Sequence, residues 1–409
     1  MLKEVFCDRI DILITEDRKI HKKSDELDVS HKVFNIDSFL EKVNAENPQL
    51  ADYQVLSVKR EYFGNMNLED SFFDSLKEDY PGFDRWFNRK ADETAYICRS
   101  DEGALLAFLY IKIEDFNENY YDIQPAFKPK KRLKIGTFKV ILNGFKLGER
   151  FLKIAFDNAL LFCVDEIYVT VFNRTSDQQR LMFLLEDWGF SQHGIKGCLG
   201  SGEEVVLTRS MSKAFNSATP RHSYPYISKS TNKFIVPIYP EYHTELFPDS
   251  ILKTESHINF VENKPNRNAI QKVYISRSYE RNLSSGDIIV FYRTKFNGSA
   301  HYTSVATTLG IVESVITNIP NLSSFISLCR KRSVFTDAGL AKYWNYDSGN
   351  RPFIVNFLYA YSFPKRPILK VLLERGIIDE APRGFKRLND IAFDRLLEEA
   401  NAEHSFIVD

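Results

Sequence analysis

The chain has 409 residues, which is more than one hydrophobic core usually organises. Its side chains are 44% hydrophobic and 27% charged, a composition that excludes a wholly disordered protein. The net charge is −1, but Lys and Arg outnumber Asp and Glu by 24 to 19 from Asn216 onward, whereas acids outnumber bases by 36 to 30 before it. This asymmetry points to an anionic partner for the C-terminal half, although a solvated surface explains so small an excess equally well.

The five cysteines are scattered without C-x-x-C spacing, which is typical of reduced thiols in a cytosolic protein rather than of disulfides or a metal centre. No apolar run approaches the ~18–20 residues that a membrane span needs. Charges at Lys3, Glu4, Asp8 and Arg9 are unlike the start of a signal peptide. We therefore expect a cytoplasmic protein with no membrane partner.

Residues 1–46 predict a strand, helix, strand and helix at Ile10–Ile14, Arg18–Leu27, Val33–Ile36 and Asp37–Val43. The run DILITEDRKIHKKSDELDVSHKVFNIDSFLEK resembles the closing part of a PIN nuclease domain. That resemblance implies several acids around a divalent metal, of which only Glu16 and Asp17 are present here. We expect a PIN-like remnant without a metal site that packs on the next domain.

Residues 50–212 show the alternation of helices and strands that is typical of a mixed α/β domain. Strands are predicted at Gln54–Arg60, Thr94–Arg99, Ala104–Ile113, Leu133–Ile141, Glu166–Phe172 and Glu204–Thr208. Helices are predicted at Leu68–Lys77, Phe83–Lys90, Gly148–Leu161 and Ser176–Asp187.

The stretch KIGTFKVILNGFKLGERFLKIAFDNALLFCVDEIYVTVFNRTSDQQRLMFLLEDWGF looks like the core of the GNAT (GCN5-related N-acetyltransferase) superfamily. The phosphate loop of that superfamily is usually Gln/Arg-x-x-Gly-x-Gly/Ala. The matching window here is Asn143–Gly148, which departs from the pattern at Asn143 and Lys146. Trp188-Gly189-Phe190, which closes the following helix, strengthens the resemblance. The resemblance implies an acyltransferase fold that binds acetyl-CoA.

Backbone N–H groups that open a helix point at one spot and meet the positive end of the helix dipole, which suits a pyrophosphate. Glycine at 144 and 148 allows close approach, and Lys146, Arg150 and Lys153 add positive charge. The resemblance further implies that Phe138–Val140 pairs with the pantetheine arm and that Asn173 touches the cofactor. The predicted cofactor residues are Phe138, Lys139, Val140, Gly144, Phe145, Lys146, Leu147, Gly148, Glu149, Arg150 and Asn173.

Acyl transfer to an amine needs a base for the amine and an acid for the leaving thiolate. Many GNAT enzymes place a Tyr four residues before the Gly of the Gly-Phe pair, where this chain has Leu185. The predicted catalytic residues are Glu114, Asp115 and Tyr120. They lie between the strand Ala104–Ile113 and the strand Leu133–Ile141, where folds of this superfamily present substrate. The basic run Lys128–Lys134 either steers a phosphate-bearing substrate or is a charged surface loop.

Residues 213–232 are rich in Ser, Thr, Pro and Asn and predict a linker to a domain over 233–409. The segments IVPIYPEYHTELFPDS, NAIQKVYIS, SSGDIIVFYRT and TTLGIVESV resemble the PUA-like group that includes ASCH and EVE domains. Such small β-barrels hold RNA or a modified base. The predicted nucleotide contacts are Tyr242, Asn268, Lys272, Ser276, Tyr292 and Arg293, with Tyr292 as the stacking ring.

The sequence thus predicts an α+β chain: a GNAT-type mixed sheet with flanking helices, followed by a PUA-like β-barrel domain. The leading hypothesis is an acetyl-CoA-dependent N-acyltransferase for an RNA-associated or protein amine, with a C-terminal module for RNA or a modified nucleotide. A toxin-type role with an antitoxin partner is an analogy only. The alternative is a non-catalytic nucleic-acid-binding regulator that uses the GNAT fold as a CoA sensor or scaffold. Leu185 favours the alternative, and the loop-helix phosphate site favours the enzyme.

Overall fold

The structure, a computed structural model, describes most of the chain outside 40–57 and 251–264. The described residues are 1–7, 9–15, 17–27, 29, 32–34, 39, 58–100, 103–141, 146–198, 202–250, 265–295, 298–329 and 332–408. None of the described helices combines the length and the apolar character that crossing a bilayer requires.

The N-terminal segment forms a small parallel pair of strands with two helices. Its elements are α1 (Leu2–Phe6), β1 (Leu13–Ile14), α2 (Arg18–Glu26) and β2 (Val33–Phe34). This order agrees with the predicted strand, helix and strand, whereas the predicted helix Asp37–Val43 lies almost entirely outside the described residues. The ring of Phe34 lies 6.2 Å from that of Tyr302, so this segment contacts the C-terminal half. The PIN-like assignment itself stays a prediction.

An eight-stranded mixed sheet organises the described residues up to Ser210, with strands in the order β3-β4-β5-β7-β8-β10-β9-β6. The strands are β3 (Lys59–Tyr62), β4 (Thr94–Arg99), β5 (Leu105–Glu114), β6 (Ile123–Gln124), β7 (Arg132–Val140), β8 (Glu166–Val171), β9 (Ser191–Cys198) and β10 (Gly202–Ser210). The β7–β8 pair is parallel and the other described pairs are antiparallel.

Four helices flank this sheet: α3 (Asp74–Asp79), α4 (Phe83–Asn88), α5 (Leu147–Leu161) and α6 (Ser176–Asp187). Parallel strands require a crossover connection, and α5 supplies it between β7 and β8. Phe151, Leu152 and Ala155 are buried at helical spacing along α5, as the sequence pattern predicted. Helix α6 begins at a capping box between Thr175 and Gln178, which explains why its predicted boundaries are correct.

The second sheet has six strands in the order β13-β16-β15-β14-β12-β17. Its strands are β12 (Lys233–Ile238), β13 (Gln271–Ser276), β14 (Ile288–Arg293), β15 (Val305–Ile316), β16 (Phe353–Ser362) and β17 (Lys386–Leu388). The sheet curls on itself and brings β13 close to β12, where the hydroxyl of Tyr274 donates to the carbonyl of Pro237 at 2.5 Å. The predicted class, a mixed α/β sheet followed by a barrel-like β domain, is confirmed.

Seven short helices accompany the curled sheet within the described residues. They are α8 (Pro240–Leu246), α9 (Pro265–Asn268), α10 (Ala300–Thr303), α11 (Leu322–Cys329), α12 (Asp337–Asn345), α13 (Leu369–Glu374) and α14 (Asp390–Glu399), with α7 (Pro220–Ser223) preceding them. The sequence pattern predicts helices at Pro240–Phe247, Leu369–Arg375 and Asp390–Ala400, and these coincide with α8, α13 and α14.

The two sheets share one hydrophobic core, to which the segment 213–232 contributes Tyr224, Tyr226 and Ile227. Tyr224 is fully buried, its ring lies 5.3 Å from Trp188 and 5.4 Å from Phe156, and its hydroxyl donates to the carbonyl of Tyr359 at 2.8 Å. The same segment pairs β11 (Ile227–Ser228) with the terminal strand β18 (Ile407–Val408). The segment predicted as a linker therefore packs between the halves and joins their cores.

Candidate functional site

Strands β7 and β8 separate at a β-bulge centred on Gly136. In the β5–β7 ladder Tyr110 stands opposite Thr137 and Ile111 opposite Ile135, so Gly136 is an extra residue on β7. A Cβ at Gly136 would stand 2.7 Å from Cδ1 of Tyr110, so only glycine fits without movement of that ring. The parallel pairing of β7 with β8 ends at Ile135 and Val169, immediately before the bulge.

Beyond the bulge, one edge of β7 has no described strand partner. Phe138, Lys139 and Val140 pair with β5 on one side, but the described ladder with β8 does not reach them. Such an edge presents backbone N–H and C=O groups to an added strand or to an extended ligand. The predicted pantetheine-binding residues therefore lie where an extended chain of amides can pair.

Helix α5 begins beside this opening, after Lys146 in a left-handed conformation with φ of 59° and with no side-chain cap hydrogen bond. The first N–H groups of a helix lack intrahelical acceptors, so the amides of Leu147–Glu149 are suited to an anion. Asn143, Gly144 and Phe145 of the predicted phosphate loop lie outside the described residues. Asn173 is exposed just after β8.

The charged side chains of the first turns of α5 have neighbours within the protein, and their role as phosphate contacts stays a prediction. Lys146 Nζ lies 3.3 Å from Glu149, while Arg150 and Lys153 are buried. Lys153 Nζ lies 2.7 Å from Asp157 and 4.8 Å from the ring centroid of Tyr359 in the C-terminal half.

Glu149 and Gly148, at the start of α5, contact other elements of the protein. Glu149 accepts hydrogen bonds from the backbone N–H of Ile270 at 3.0 Å and of Gln271 at 3.2 Å. A Cβ at Gly148 would stand 2.7 Å from Cδ2 of Leu184, so this glycine permits close packing of α5 on α6. The backbone amides at 147–149 remain the groups of this turn that can meet an anion.

A cavity of about 530 Å³ opens on the sheet where β7 and β8 separate, beneath α3 and α4. We call it the sheet cavity and define it by six of its lining residues: Tyr80, Glu114, Lys134, Gly136, Val169 and Glu204. Because the bulge forms part of its wall, a group held along the open edge of β7 can reach this space.

Glu114, a predicted catalytic residue, is 3% exposed and lines the sheet cavity. Its Oε2 accepts from the hydroxyls of Tyr168 at 2.7 Å and Tyr120 at 2.9 Å. Burial, and next the negative charge of Glu114, raise the pKa of both hydroxyls, so both remain protonated donors. Tyr120 is thus a partner of Glu114, whereas Asp115 is exposed beside them.

Glu204 and Tyr80 form a second polar pair in the sheet cavity that the sequence analysis missed. Glu204 is 1% exposed, accepts from the Tyr80 hydroxyl at 2.5 Å and lies 3.4 Å from Lys196 Nζ. Glu204 stands two residues before the buried Val206 on β10, so the two side chains lie on the same face of the sheet. This alternation could have indicated a buried carboxylate from the sequence. Tyr80 stands at the end of α3, 124 positions away in sequence, and its sequence context carries no comparable signal.

The basic run Lys128–Lys134 is largely engaged within the domain. Arg132 is buried with Nε 2.8 Å from Glu166, and Lys130 Nζ lies 2.7 Å from the same carboxylate.

Leu185, at the position of the usual GNAT tyrosine, is fully buried in the core. Within the described ranges, three or more His, Cys, Asp or Glu side chains are nowhere grouped as a metal site requires.

A larger cavity of about 920 Å³ lies in the C-terminal half between β12, β13 and α12. Its wall is a row of rings, with Tyr242 4.7 Å from Phe335 and Phe335 5.8 Å from Tyr343. Arg277 lies 5.1 Å from the centroid of Tyr343, and it donates to the backbone carbonyls of Tyr343, Asp347 and Asn350. We call this cavity the aromatic cleft.

The structure places the predicted nucleotide-binding residues in two environments. Tyr242 and Ser276 line the aromatic cleft. Asn268, Lys272, Tyr292 and Arg293 are at most 3% exposed and belong to the interior. All six residues of β14 are buried, so both faces of that strand are covered and the sequence pattern could not show which one meets a cavity.

No family model matches the sequence, and no curated protein matches it at a significant level. Among solved structures, the ASCH protein of Zymomonas mobilis aligns with a TM-score of 0.30 and 11% identity over 41% of this chain and 94% of that one. Two N-acetyltransferase structures align over 38% of this chain at 16% identity. The NatC complex bound to Gag peptide and CoA has a TM-score of 0.27 and 99% coverage of its matched chain. Chaetomium thermophilum Naa20 with a bisubstrate analogue has a TM-score of 0.30 and 86% coverage. TM-scores this low assign neither family nor activity, so the geometry described above carries the functional proposal.

The buried His243 predicts how the stability of the C-terminal half depends on pH. It is fully buried, with Nε2 2.9 Å from Thr307 Oγ1, and burial followed by Arg293 and Arg366 holds its pKa well below the usual 6.5. The folded protein keeps His243 neutral while the unfolded chain takes up a proton near pH 6.5, so stability is full above that pH and falls below it. We expect urea unfolding of His243→Gln to lose this dependence, which amounts to at most ~1.4 kcal/mol per pH unit. The exposed control His404→Gln should keep the wild-type slope. An unchanged slope in His243→Gln would show that another group is responsible.

Proposed function

We propose that this protein is an acyltransferase that transfers the acyl group of acetyl-CoA to an amine bound in the sheet cavity. The observation that carries the proposal is the bulge at Gly136, where β7 leaves β8 and opens the edge Phe138–Val140 beside an uncapped helix N-terminus. We further propose that the C-terminal half recognises RNA or a modified nucleotide that bears or accompanies the acceptor.

The donor would be held mainly by backbone groups. The open edge at Phe138–Val140 can pair with the amides of the pantetheine arm, and the N–H groups of Leu147–Glu149 can meet the pyrophosphate. Gly144 and Phe145 precede that turn, and Asn173 stands exposed after β8. When bound, the donor supplies a thioester carbonyl that an amine can attack.

Proton handling is assigned to the Glu204–Tyr80 pair, with Glu114 as the second carboxylate. A buried carboxylate can take the proton of an entering ammonium, and Glu204 is buried within reach of the cavity. Tyr80 donates to Glu204 and orients it, and Lys196 adds a positive charge 3.4 Å away. Glu114 is already satisfied by two tyrosine hydroxyls, which makes it the less available acceptor.

Gly136→Val tests the donor site. The added side chain meets Tyr110 at once and should close the bulge, so CoA affinity measured by calorimetry should fall tenfold or more, about 1.4 kcal/mol. Gly197→Val is the matched control, because no atom lies within 4 Å of a Cβ at that position. A folded Gly136→Val protein with wild-type CoA affinity would place the donor elsewhere.

Glu204→Gln tests the chemistry separately from donor binding. Loss of the base should lower acetyl transfer from labelled acetyl-CoA to total cell RNA and protein by roughly 10²–10⁴-fold, with CoA affinity unchanged. The exposed neighbour Glu203→Gln should transfer like the wild type. If the wild-type protein binds CoA tightly and transfers nothing, the alternative of a CoA-sensing regulator replaces the enzyme.

The aromatic cleft supports the proposed role in nucleotide recognition. Large exposed rings at a cavity rim are platforms for bases, and Tyr279 and Tyr239 are 95% and 63% exposed at this rim. Arg383 and Lys386 line the same cleft and can meet phosphate groups. Tyr242 and Ser276 would be the contacts inside it.

Tyr279→Ala should weaken binding of a short single-stranded RNA by ~1–3 kcal/mol if one base stacks on that ring. Fluorescence anisotropy at fixed salt measures the affinity. Tyr121→Ala removes an equally exposed ring, 82% exposed, on the N-terminal half and should have no effect. Equal affinities for both variants would remove the cleft from RNA binding.

A further inference from the structure

Lys134 lies on β7 two residues before the bulge, and its side chain lines the sheet cavity. The side chain is 31% exposed, with Nζ 3.8 Å from Glu114 Oε1 and 5.7 Å from the ring centroid of Tyr168. A primary amine is therefore built into the space in which the proposed acceptor amine must sit.

The alternation of β7 explains why this amine faces the cavity. Leu133 and Ile135 are buried in the core shared with α5, so Lys134 between them points to the opposite face of the sheet. Gly136 then adds no side chain between Lys134 and the point where β7 and β8 part.

Three lysines near the site differ in their environments. Burial alone would lower the pKa of Lys112, but Glu114 and Glu118 outweigh it and raise that pKa. Burial lowers the pKa of Lys134, and the attraction of Glu114 only partly opposes it. Lys139 also has a lowered pKa through burial, but its Nζ donates to the carbonyl of Phe72 and, at 2.7 Å, to Ser75 Oγ.

We propose that Lys134 is itself an acyl acceptor, so that the protein acylates its own active-site lysine when no other amine occupies the sheet cavity. The proposal rests on the proposed function, because the acyl group comes from acetyl-CoA bound along β7. The neutral Nζ of Lys134 attacks the thioester carbonyl; a C–N bond forms, the C–S bond breaks, and CoA leaves as a thiolate. The proton lost by the nitrogen passes to water and finally to the thiolate, so no further reactant is required.

The modification would limit the enzyme's own activity. An acetylated Lys134 has lost its positive charge, its ion pair with Glu114 and its nucleophilic lone pair, and it is larger by one acetyl group. The added group would fill the part of the sheet cavity that an acceptor amine must enter. Acetyl-CoA without an acceptor would therefore convert the protein to a blocked form.

The experiment incubates the full chain with acetyl-CoA alone and follows peptide masses with time, alongside calorimetric titration with CoA. We expect one acetyl group per chain on the peptide that contains Lys134, formed with saturable dependence on acetyl-CoA and suppressed by excess CoA. Lys112→Arg is the matched control and should keep that label, because Lys112 also contacts Glu114 but remains protonated. Lys134→Arg should lack it.

The outcomes separate the two proposals. If CoA binds but Lys134 stays unlabelled, or if its label matches that of exposed lysines in the urea-unfolded chain, self-acylation is overturned and the proposed function stands. If CoA does not bind, both proposals fail together. The wild-type peptide map decides the matter even if Lys134→Arg does not fold.

Discussion

The extra residue at Gly136 sets the register between β5 and β7, and the absence of a side chain there leaves room for the ring of Tyr110. Because side chains alternate along a strand, one inserted residue changes which face each later residue occupies. Leu133 and Ile135 face α5 before the bulge, and Phe138 packs 5.8 Å from Phe151 of α5 after it. The bulge thus keeps the core continuous while it turns β7 away from β8, and the sheet cavity follows from that divergence.

Helix α5 has two functions at its first turn. Its backbone N–H groups open toward the space beside β7, while the carboxylate of Glu149 accepts two backbone hydrogen bonds from the start of β13. A buried carboxylate is tolerated only when it is well paired, so these bonds and Arg332, 3.5 Å away, hold the C-terminal half against the helix. The ring of Tyr224 packs against Trp188 and Phe156 and adds apolar contact between the two halves. Together these contacts pack the two sheets against each other.

The electrostatics of the sheet cavity arise from two carboxylates that each hold tyrosine hydroxyls. Glu114 accepts hydrogen bonds from Tyr120 and Tyr168, and Glu204 accepts one from Tyr80. A carboxylate raises the pKa of an adjacent lysine, whereas burial lowers it, so the balance differs from one lysine to the next. In this cavity the balance raises the pKa of Lys112 and lowers the pKa of Lys134.

The sequence by itself determined the order and type of most elements, because strong periodicity and clear caps are local properties. Helices α5 and α6 and the strands β4, β5, β7 and β8 lie within one residue of where the pattern predicted them. Strand β9, with the sequence SQHGIKGC, was missed because few of its residues favour a strand. Tertiary structure alone decided the partners: it brought Lys153 to Tyr359 of the C-terminal half, buried Asn268, Lys272, Tyr292 and Arg293, and brought Tyr80 to Glu204. Such contacts depend on strand register and on how two sheets pack, and neither is encoded in the periodicity of a single segment.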